Sequence, residues 1–464
     1  MNHDETSANV HPVARFLDGL IYFFLLATIV LTAIPYGTIQ PWWIALFQCS
    51  VFVTAILGLI EAIISRRWSL DISLVTPLLV LCLFAIIQSL PLFSESGPID
   101  LRKSISADPY GTRLFATQLF SLTLVVLLLR RYVSSKARLR KLIYVIIGVG
   151  LATALFGIVR QNLQHAPGFV LPALPVGRGF GQFINRNHFA LLLEMTLGLT
   201  LGLTIGEKGK HRRMMFLIPI GLFMWCALIY SNSRGGIIAS FCQLLFLLVL
   251  VDPVRRMTNA RIDTNMRGLF QNVTVGLAVR AFLILCLIGL FAYGVSWIGG
   301  ERVVTNFQLA ATDFSQQEMQ NNANTSRKEI WSATWQMFKA NPVAGFGFGG
   351  YWIGITRYHR ASGEITPQQA HNDYLELLAS GGIIACALVA WFLVIFVRRA
   401  RSSLNSPNSY YRAACLGALT GMFGVVVHSF VDFGLHVTAN AVMFIALVVI
   451  GVRDFSEPSQ SEQL

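Results

Sequence analysis

Apolar runs of around 20 residues recur along most of this chain, and no other feature restricts its fold as much. Wound as a helix at 1.5 Å per residue, such a run crosses a bilayer core about 30 Å thick. In lipid, a helix also satisfies its backbone hydrogen bonds within one segment. Charge agrees: Asp, Glu, Lys and Arg make up 13% of 464 residues, roughly half the share in a soluble domain. A soluble enzyme, a secreted disulfide scaffold and a disordered chain are excluded. The expected fold class is all-α integral membrane, with about twelve transmembrane helices and a long extracytoplasmic loop containing an amphipathic helix.

The runs fall at about 16–35, 42–64, 72–92, 113–130, 141–160, 188–206, 214–230, 235–251, 277–298, 372–397, 412–432 and 437–452. The net charge of +13 matters through its location. Arg66–Arg67, Arg130–Lys141, Lys208–Arg213, Arg255–Arg267 and Arg398–Arg412 fall on alternate links. The positive-inside rule makes that face cytoplasmic, with both termini inside. The expected organisation is a cytoplasmic segment 1–15, a membrane bundle 16–298, an extracytoplasmic loop domain 299–371, further membrane helices 372–452 and a cytoplasmic tail 453–464. All seven cysteines lie inside apolar runs and no CxxC occurs, so neither disulfides nor a cysteine metal site is expected. The first 15 residues lack the pattern of a cleavable signal.

The opposite face gathers the links at about 93–112, 161–187, 231–235, 299–371 and 433–436. A loop as long as 299–371 tends to carry function. Ser326 and Glu329 form an S-x-x-E capping box, with Trp331, Trp335 and Phe338 following at helical spacing and Asn341–Pro342 ending the run. The predicted helix lies flat against the bundle or the lipid surface.

Arginines on this face run against the charge bias and need local reasons. Arg178 and Arg186 stand in GRGFGQFINRNHFA, Arg234 in SNSRGG, and Arg327 in the first turn of the loop helix. Singly, each is as well explained by snorkelling or a carboxylate partner. Arg234 sits in a turn too short to leave the membrane surface, crowded by Ser231, Asn232 and Ser233. Together Arg234 and Arg327 point to an anion site, since a helix start already favours negative charge. His371 begins HNDYLELLASGG beside Asn372, Asp373 and Glu376, where a capping or hydrogen-bonding role competes with catalysis. His428, Asp432 and His436 are spaced by four, a metal-compatible pattern only if the helix continues past Gly434. No metal site is assigned, and Asp432 is kept as an orienting carboxylate. Gly345–Gly350 satisfies G-x-G-x-x-G but follows a helix and a proline, so the dinucleotide reading fails. A packed turn with amides available to an anion is expected instead.

An anion site at the lipid surface suits a lipid phosphate or diphosphate. No D-x-D or D-x-E occurs to clamp one through a divalent cation. Guanidinium groups can hold the developing charge of a diphosphate leaving group, which favours group transfer from a lipid-linked donor.

Five segments in order resemble the O-antigen ligase and polymerase superfamily of bacterial polysaccharide assembly. They are GQFINRNHFALLLEM, SNSRGG, Arg327-x3-Trp331 with NPVAGFGFGGY, HNDYLELLASGG and HSFVDFGLH, covering roughly residues 175–440. An extra apolar run near 277–298 lies between Arg234 and Arg327. The resemblance implies a helical bundle in the bacterial inner membrane, with a loop domain roofing a cavity open to lipid. It implies a metal-independent, cofactor-free, inverting glycosyltransferase whose donor is an undecaprenyl-diphosphate-linked glycan. The acceptor would be lipid A–core or a growing glycan; the partners are these and membrane lipid, with no nucleic acid. By carry-over, Arg234 and Arg327 hold the diphosphate and His371 positions or deprotonates the acceptor hydroxyl. Arg178, Arg186, Asn187, His188, Asn372 and Asp432 complete the expected substrate-binding set. A ligase is preferred, with a repeat-unit polymerase as alternative. A small-anion transporter is a further alternative, disfavoured because mid-span positions read as apolar.

Overall fold

A computed structural model describes residues 11–66, 68, 71–92, 104–163, 179–206, 211–259, 327–359 and 366–453. Its α-helices are α1 (Pro12–Thr32), α2 (Pro41–Ser65), α3 (Thr76–Ser89), α4 (Pro109–Tyr132), α5 (Lys136–Leu163), α6 (Arg186–Gly206), α7 (His211–Tyr230), α8 (Arg234–Asn259), α9 (Arg327–Ala340), α10 (Tyr351–Gly354), α11 (Asp373–Leu404), α12 (Ser409–His428) and α13 (Thr438–Gly451). Seven of them, α1, α2, α4, α5, α6, α11 and α12, are long and apolar enough to cross a membrane. Four shorter apolar helices, α3, α13 and parts of α7 and α8, stand where further spans are expected. The expected run at 277–298 and the whole 299–326 segment, including Ser326 of the capping box, lie outside the described residues. Among the described residues the regular structure is thus all helical, and seven helices suit a membrane protein.

Proline opens α1, α2 and α4, where its missing N–H costs nothing because the first turn has no acceptor for it. One end of the bundle gathers the expected cytoplasmic arginines into ion pairs. Arg131 meets Glu61 at 2.7 Å, Arg138 meets Asp18, and Asp71 takes both Arg130 (2.9 Å) and Arg399 (2.5 Å). Partial burial pushes the Asp71 carboxyl up, but Ser73 and these two guanidinium groups outweigh it and hold it well below the usual carboxylate range. The α2–α3, α4–α5 and α11–α12 links are thereby fastened together.

Helices α6 and α12 are the most enclosed of the seven. Their contact explains why: Gly198, Gly202 and Gly206 on α6 are spaced by four, and so are Ala413, Gly417 and Gly421 on α12. A Cβ on Gly202 would overlap the Gly417 Cα, and one on Gly198 would overlap the Gly421 backbone. Small residues at this spacing let two backbones touch where lipid offers no hydrophobic drive. Gly202→Val should therefore force the helices apart, with overpacking costing about 1–3 kcal/mol. The expected result is a lowered unfolding midpoint in detergent; an unchanged midpoint would contradict this contact.

A second, smaller core holds the loop domain: Ile330, Ala333, Met337, Phe346, Tyr351, Ile355, Ala370 and Ala379. The stripe of α9 that faces it is Ile330, Ala333, Thr334 and Met337. The expected aromatic stripe is displaced by a fraction of a turn: Trp331 is half-buried and Trp335 exposed. The G-x-G-x-x-G turn also differs from expectation, because its amides are already used. Phe346 and Gly347 N–H donate to the Ala379 and Ser380 carbonyls (both 2.9 Å), Gly345 to Asn341, Gly350 to Gly347 and Gly349 to Thr112 Oγ1. Those carbonyls are free because α11 breaks at Gly382 (φ 63°, ψ −162°). The amides beyond the break, Ile383 and Ile384, return the bonds to Pro342 and Val343. NPVAGFGFGG and LLASGG are therefore one structure, a kinked helix with its spare hydrogen bonds filled by a glycine turn. This sets the direction of the first turns of α11, which carry the site.

Candidate functional site

Three arginines from distant parts of the chain each open a helix: Arg186 begins α6, Arg234 begins α8 and Arg327 begins α9. The links before α6 and α8 are joined by Ser233 Oγ donating to Asn187 Oδ1 at 2.8 Å. Each link caps its own helix, through Asn185 Oδ1 accepting from Asn187 N (2.9 Å) and Ser233 Oγ from Gly236 N (3.2 Å). Asn232, at φ 55°, makes the reversal between α7 and α8. The charges that act on the half-buried Arg186 are those of Arg234 and Arg327. Two further positive charges therefore bear on Arg186 at the positive start of α6, a setting that favours an anion. Of the expected arginines, Arg178 lies outside the described residues.

His371 is held beside this group by several bonds. It precedes α11 at φ 51°, a left-handed conformation that costs a non-glycine residue energy and persists only where its surroundings impose it. Those surroundings are explicit. Ala370 N donates to Glu376 Oε2 (2.8 Å), and Ala370 O accepts from Trp331 Nε1 (3.0 Å). Asn372 caps α11 through the Tyr374 and Leu375 amides and donates from Nδ2 to Phe430 O (3.1 Å). Asp373 N donates to Ser429 O (2.9 Å). Asn372 thus ties the start of α11 to the backbone after α12. Trp331 gives the R-x3-W spacing its physical sense: one turn after Arg327, it ties the same helix to the residue before His371. Trp331→Phe keeps the ring but removes the N–H, a bond worth about 1 kcal/mol. Transfer should fall roughly fivefold if that whole difference is felt in the transition state, with the unfolding midpoint nearly unchanged.

Helix α12 ends at His428, four residues before the end of the expected span, so Asp432 lies outside regular helix. The amides of Val431 and Asp432 both turn back to the His428 carbonyl, which closes the helix. His428, Asp432 and His436 consequently take different partners. His428 Nδ1 lies 2.7 Å from Glu194 Oε1, Asp432 Oδ1 is 3.4 Å from His371 Nδ1, and His436 Nε2 is 3.5 Å from Glu376 and 3.7 Å from Asp373. Phe433 stands between imidazoles, edge-on to His371 (4.8 Å) and His188 (5.1 Å). Asp432 is wholly buried. Burial alone would raise its carboxyl, but the adjacent His371, the nearby His188 and His428, and the Phe433 N–H hold it well below the usual range.

The structure therefore sets Arg234 and Arg327 within electrostatic reach of Arg186, places His371 beside Asp432, and puts Phe433 between His371 and His188. Sequence reasoning passed over Glu194. It lies more than two turns inside α6, has no exposed surface and pairs with His428. Mid-span positions are thus not uniformly apolar. An ionisable residue inside a membrane run was itself the available signal.

A family model described as O-antigen ligase matches residues 219–390. The match supports the resemblance to the O-antigen ligase and polymerase superfamily, and it spans Arg234, Arg327 and His371. No curated protein matches the chain.

Proposed function

We propose, for a chain whose residues 219–390 carry the match to the O-antigen ligase family, a transferase that moves a glycan from a polyprenyl diphosphate to an acceptor hydroxyl. That the protein is a membrane enzyme of the O-antigen ligase and polymerase type is the premise; donor, acceptor and residue roles are our reading. The reach of Arg234 and Arg327 to Arg186, with the starts of α6 and α8 tied by the Ser233–Asn187 bond, supports it most. A diphosphate in the bilayer's outer leaflet presents an anion that three guanidinium groups and three helix ends would neutralise together. Negative charge grows on that group as the glycosidic bond breaks, so the arginines bind the transition state more strongly than the ground state.

In this reading the acceptor oxygen attacks the anomeric carbon from the face opposite the diphosphate. The bond to the leaving oxygen breaks with its electron pair, and the configuration inverts. The hydroxyl proton goes to His371 Nε2, while Asp432 on the Nδ1 side steadies the ring and its developing charge. No residue in this scheme needs a divalent cation. The basic loops support a site on the extracytoplasmic face, and the family reading puts that face on a bacterial inner membrane. A ligase acting on lipid A–core remains preferred over a polymerase.

The test uses purified protein in liposomes, an undecaprenyl-diphosphate-linked repeat unit and a chelator, without added acceptor. A ladder of growing glycan on a gel would establish the transferase and make it a polymerase. An unchanged donor that is consumed once lipid A–core is supplied would make it a ligase. A donor consumed under neither condition would refute the reading.

A further inference from the structure

One phenyl ring is the meeting point of three imidazoles from distant parts of the chain. Phe433, in the link between α12 and α13, stands nearly perpendicular to His371 before α11, with ring centroids 4.8 Å apart and planes at 74°. It meets His188 of α6 in the same way (5.1 Å, 79°), and His436 ahead of α13 (6.0 Å, 86°). Edge-to-face contact with centroids about 4.5–7 Å apart is a preferred geometry of two aromatic rings. The place of Phe433 is fixed independently of His371. Asn440, in the first turn of α13, donates from Nδ2 to Gly434 O and to His188 O (both 3.1 Å). A Cβ on Gly434 would overlap Leu191 of α6. The turn that carries the phenyl ring is thus fastened to α6 and α13, neither of which holds His371.

The imidazole of His371 needs such a wall. Its terminal side-chain torsion is of the broad sp³–sp² kind, so no narrow rotamer well sets the plane of the ring. A hydrogen bond could set it, but Nδ1 lies 3.4 Å from Asp432 Oδ1, longer than the roughly 2.7–3.2 Å of an ordinary N–H···O bond. The other nitrogen, Nε2, has to stay open to take the acceptor's proton. We propose that Phe433 is a positioning residue for His371: its phenyl ring sets the plane of the imidazole without occupying either nitrogen. The backbone of the same residue assists, since Phe433 N donates to Asp432 Oδ1 (3.0 Å), the oxygen that faces His371. This rests on the acceptor-activating role of His371 given above, while the ring contact itself stands on geometry alone.

Positioning has a signature that a packing role lacks. Phe433→Leu keeps much of the bulk but loses the ring, and should lower kcat about three- to tenfold, the range an aromatic pair is worth. The KM for donor should stay unchanged because the arginines are untouched. Phe433→Tyr keeps the ring and should retain most of the wild-type rate. In a His371→Ala background, Phe433→Leu should change the residual rate by less than about twofold, because no imidazole is left to orient. The full loss repeated in that background would show that Phe433 does not act through His371 and would overturn the proposal, as would a wild-type kcat in the leucine variant. Should the variants not fold, NMR spectra of wild-type protein labelled at histidine and phenylalanine decide. Overhauser contacts between the two rings that fit one imidazole orientation support the proposal; their absence, or contacts that need several orientations, overturns it. That spectrum needs no substrate, so a wrong assignment of the reaction would leave it readable.

Discussion

Arg327→Lys should abolish glycan transfer nearly as fully as Arg327→Ala, both falling by about three orders of magnitude while the protein inserts and folds normally. Loss of one preorganised donor to a developing anion typically costs 10²–10³ in rate. Arg327 is exposed, stands in the first turn of α9 and contributes nothing to the small core beneath that helix. Its removal therefore takes away charge and geometry without opening a cavity. Lysine keeps the charge but loses the planar fork that grips two phosphate oxygens at once. Between three helix ends that are already positive, fork geometry decides more than one additional point charge. The measurement is steady-state transfer with separate kcat and KM. A fall confined to kcat places Arg327 on the departing diphosphate, and a rise confined to KM places it on the resting donor. Full activity of the lysine variant would remove the clamp from this position.

Most of the bundle was legible because hydropathy is a one-dimensional property. Helices stand at eleven of the expected places, with most ends within about five residues and the C-termini of α8 and α11 running further. Where the ends moved, the cause was tertiary. Asp432 left its expected helix because the chain turns back on the His428 carbonyl to bring that carboxylate under His371. His371 likewise sits before α11 in a strained backbone imposed by Trp331 and Glu376, neither of which is its neighbour in sequence. The amides of the G-x-G-x-x-G turn looked available to an anion because nothing in the sequence announced that α11 would break at Gly382 and claim them.

The candidate site shows the same division. Charge on the wrong face singled out Arg186, Arg234 and Arg327 one by one, but their meeting depends on the Ser233–Asn187 bond and on α9 lying over α11. Glu194 and the glycines at 198, 202, 417 and 421 were readable and were missed. A carboxylate in an apolar run and a four-residue glycine repeat are both local signals with physical meaning in lipid. They belong together, since the close approach of α6 and α12 is what brings Glu194 within 2.7 Å of His428.

Asp432→Asn should cost transfer almost as much as His371→Ala, by about 10²–10⁴ in kcat, although Asp432 is buried behind the His371 ring. The amide keeps the shape and can still accept from a neighbouring N–H. It loses the charge that opposes an imidazolium when His371 takes the acceptor's proton. Its pH behaviour follows from the sign of the shift. Because the native carboxyl is held below its ordinary value near ~3.9, Asp432 stabilises the fold fully above that pH. The contribution is lost only as pH falls through the lower native value. Asp432 thus stays ionised throughout the working range and contributes no acid limb to the wild-type rate profile. The variant should then show a depressed rate at every pH, with donor KM unchanged because the arginines are intact. A wild-type rate in Asp432→Asn would leave His371 without its orienting carboxylate and return it to a purely structural place at the head of α11.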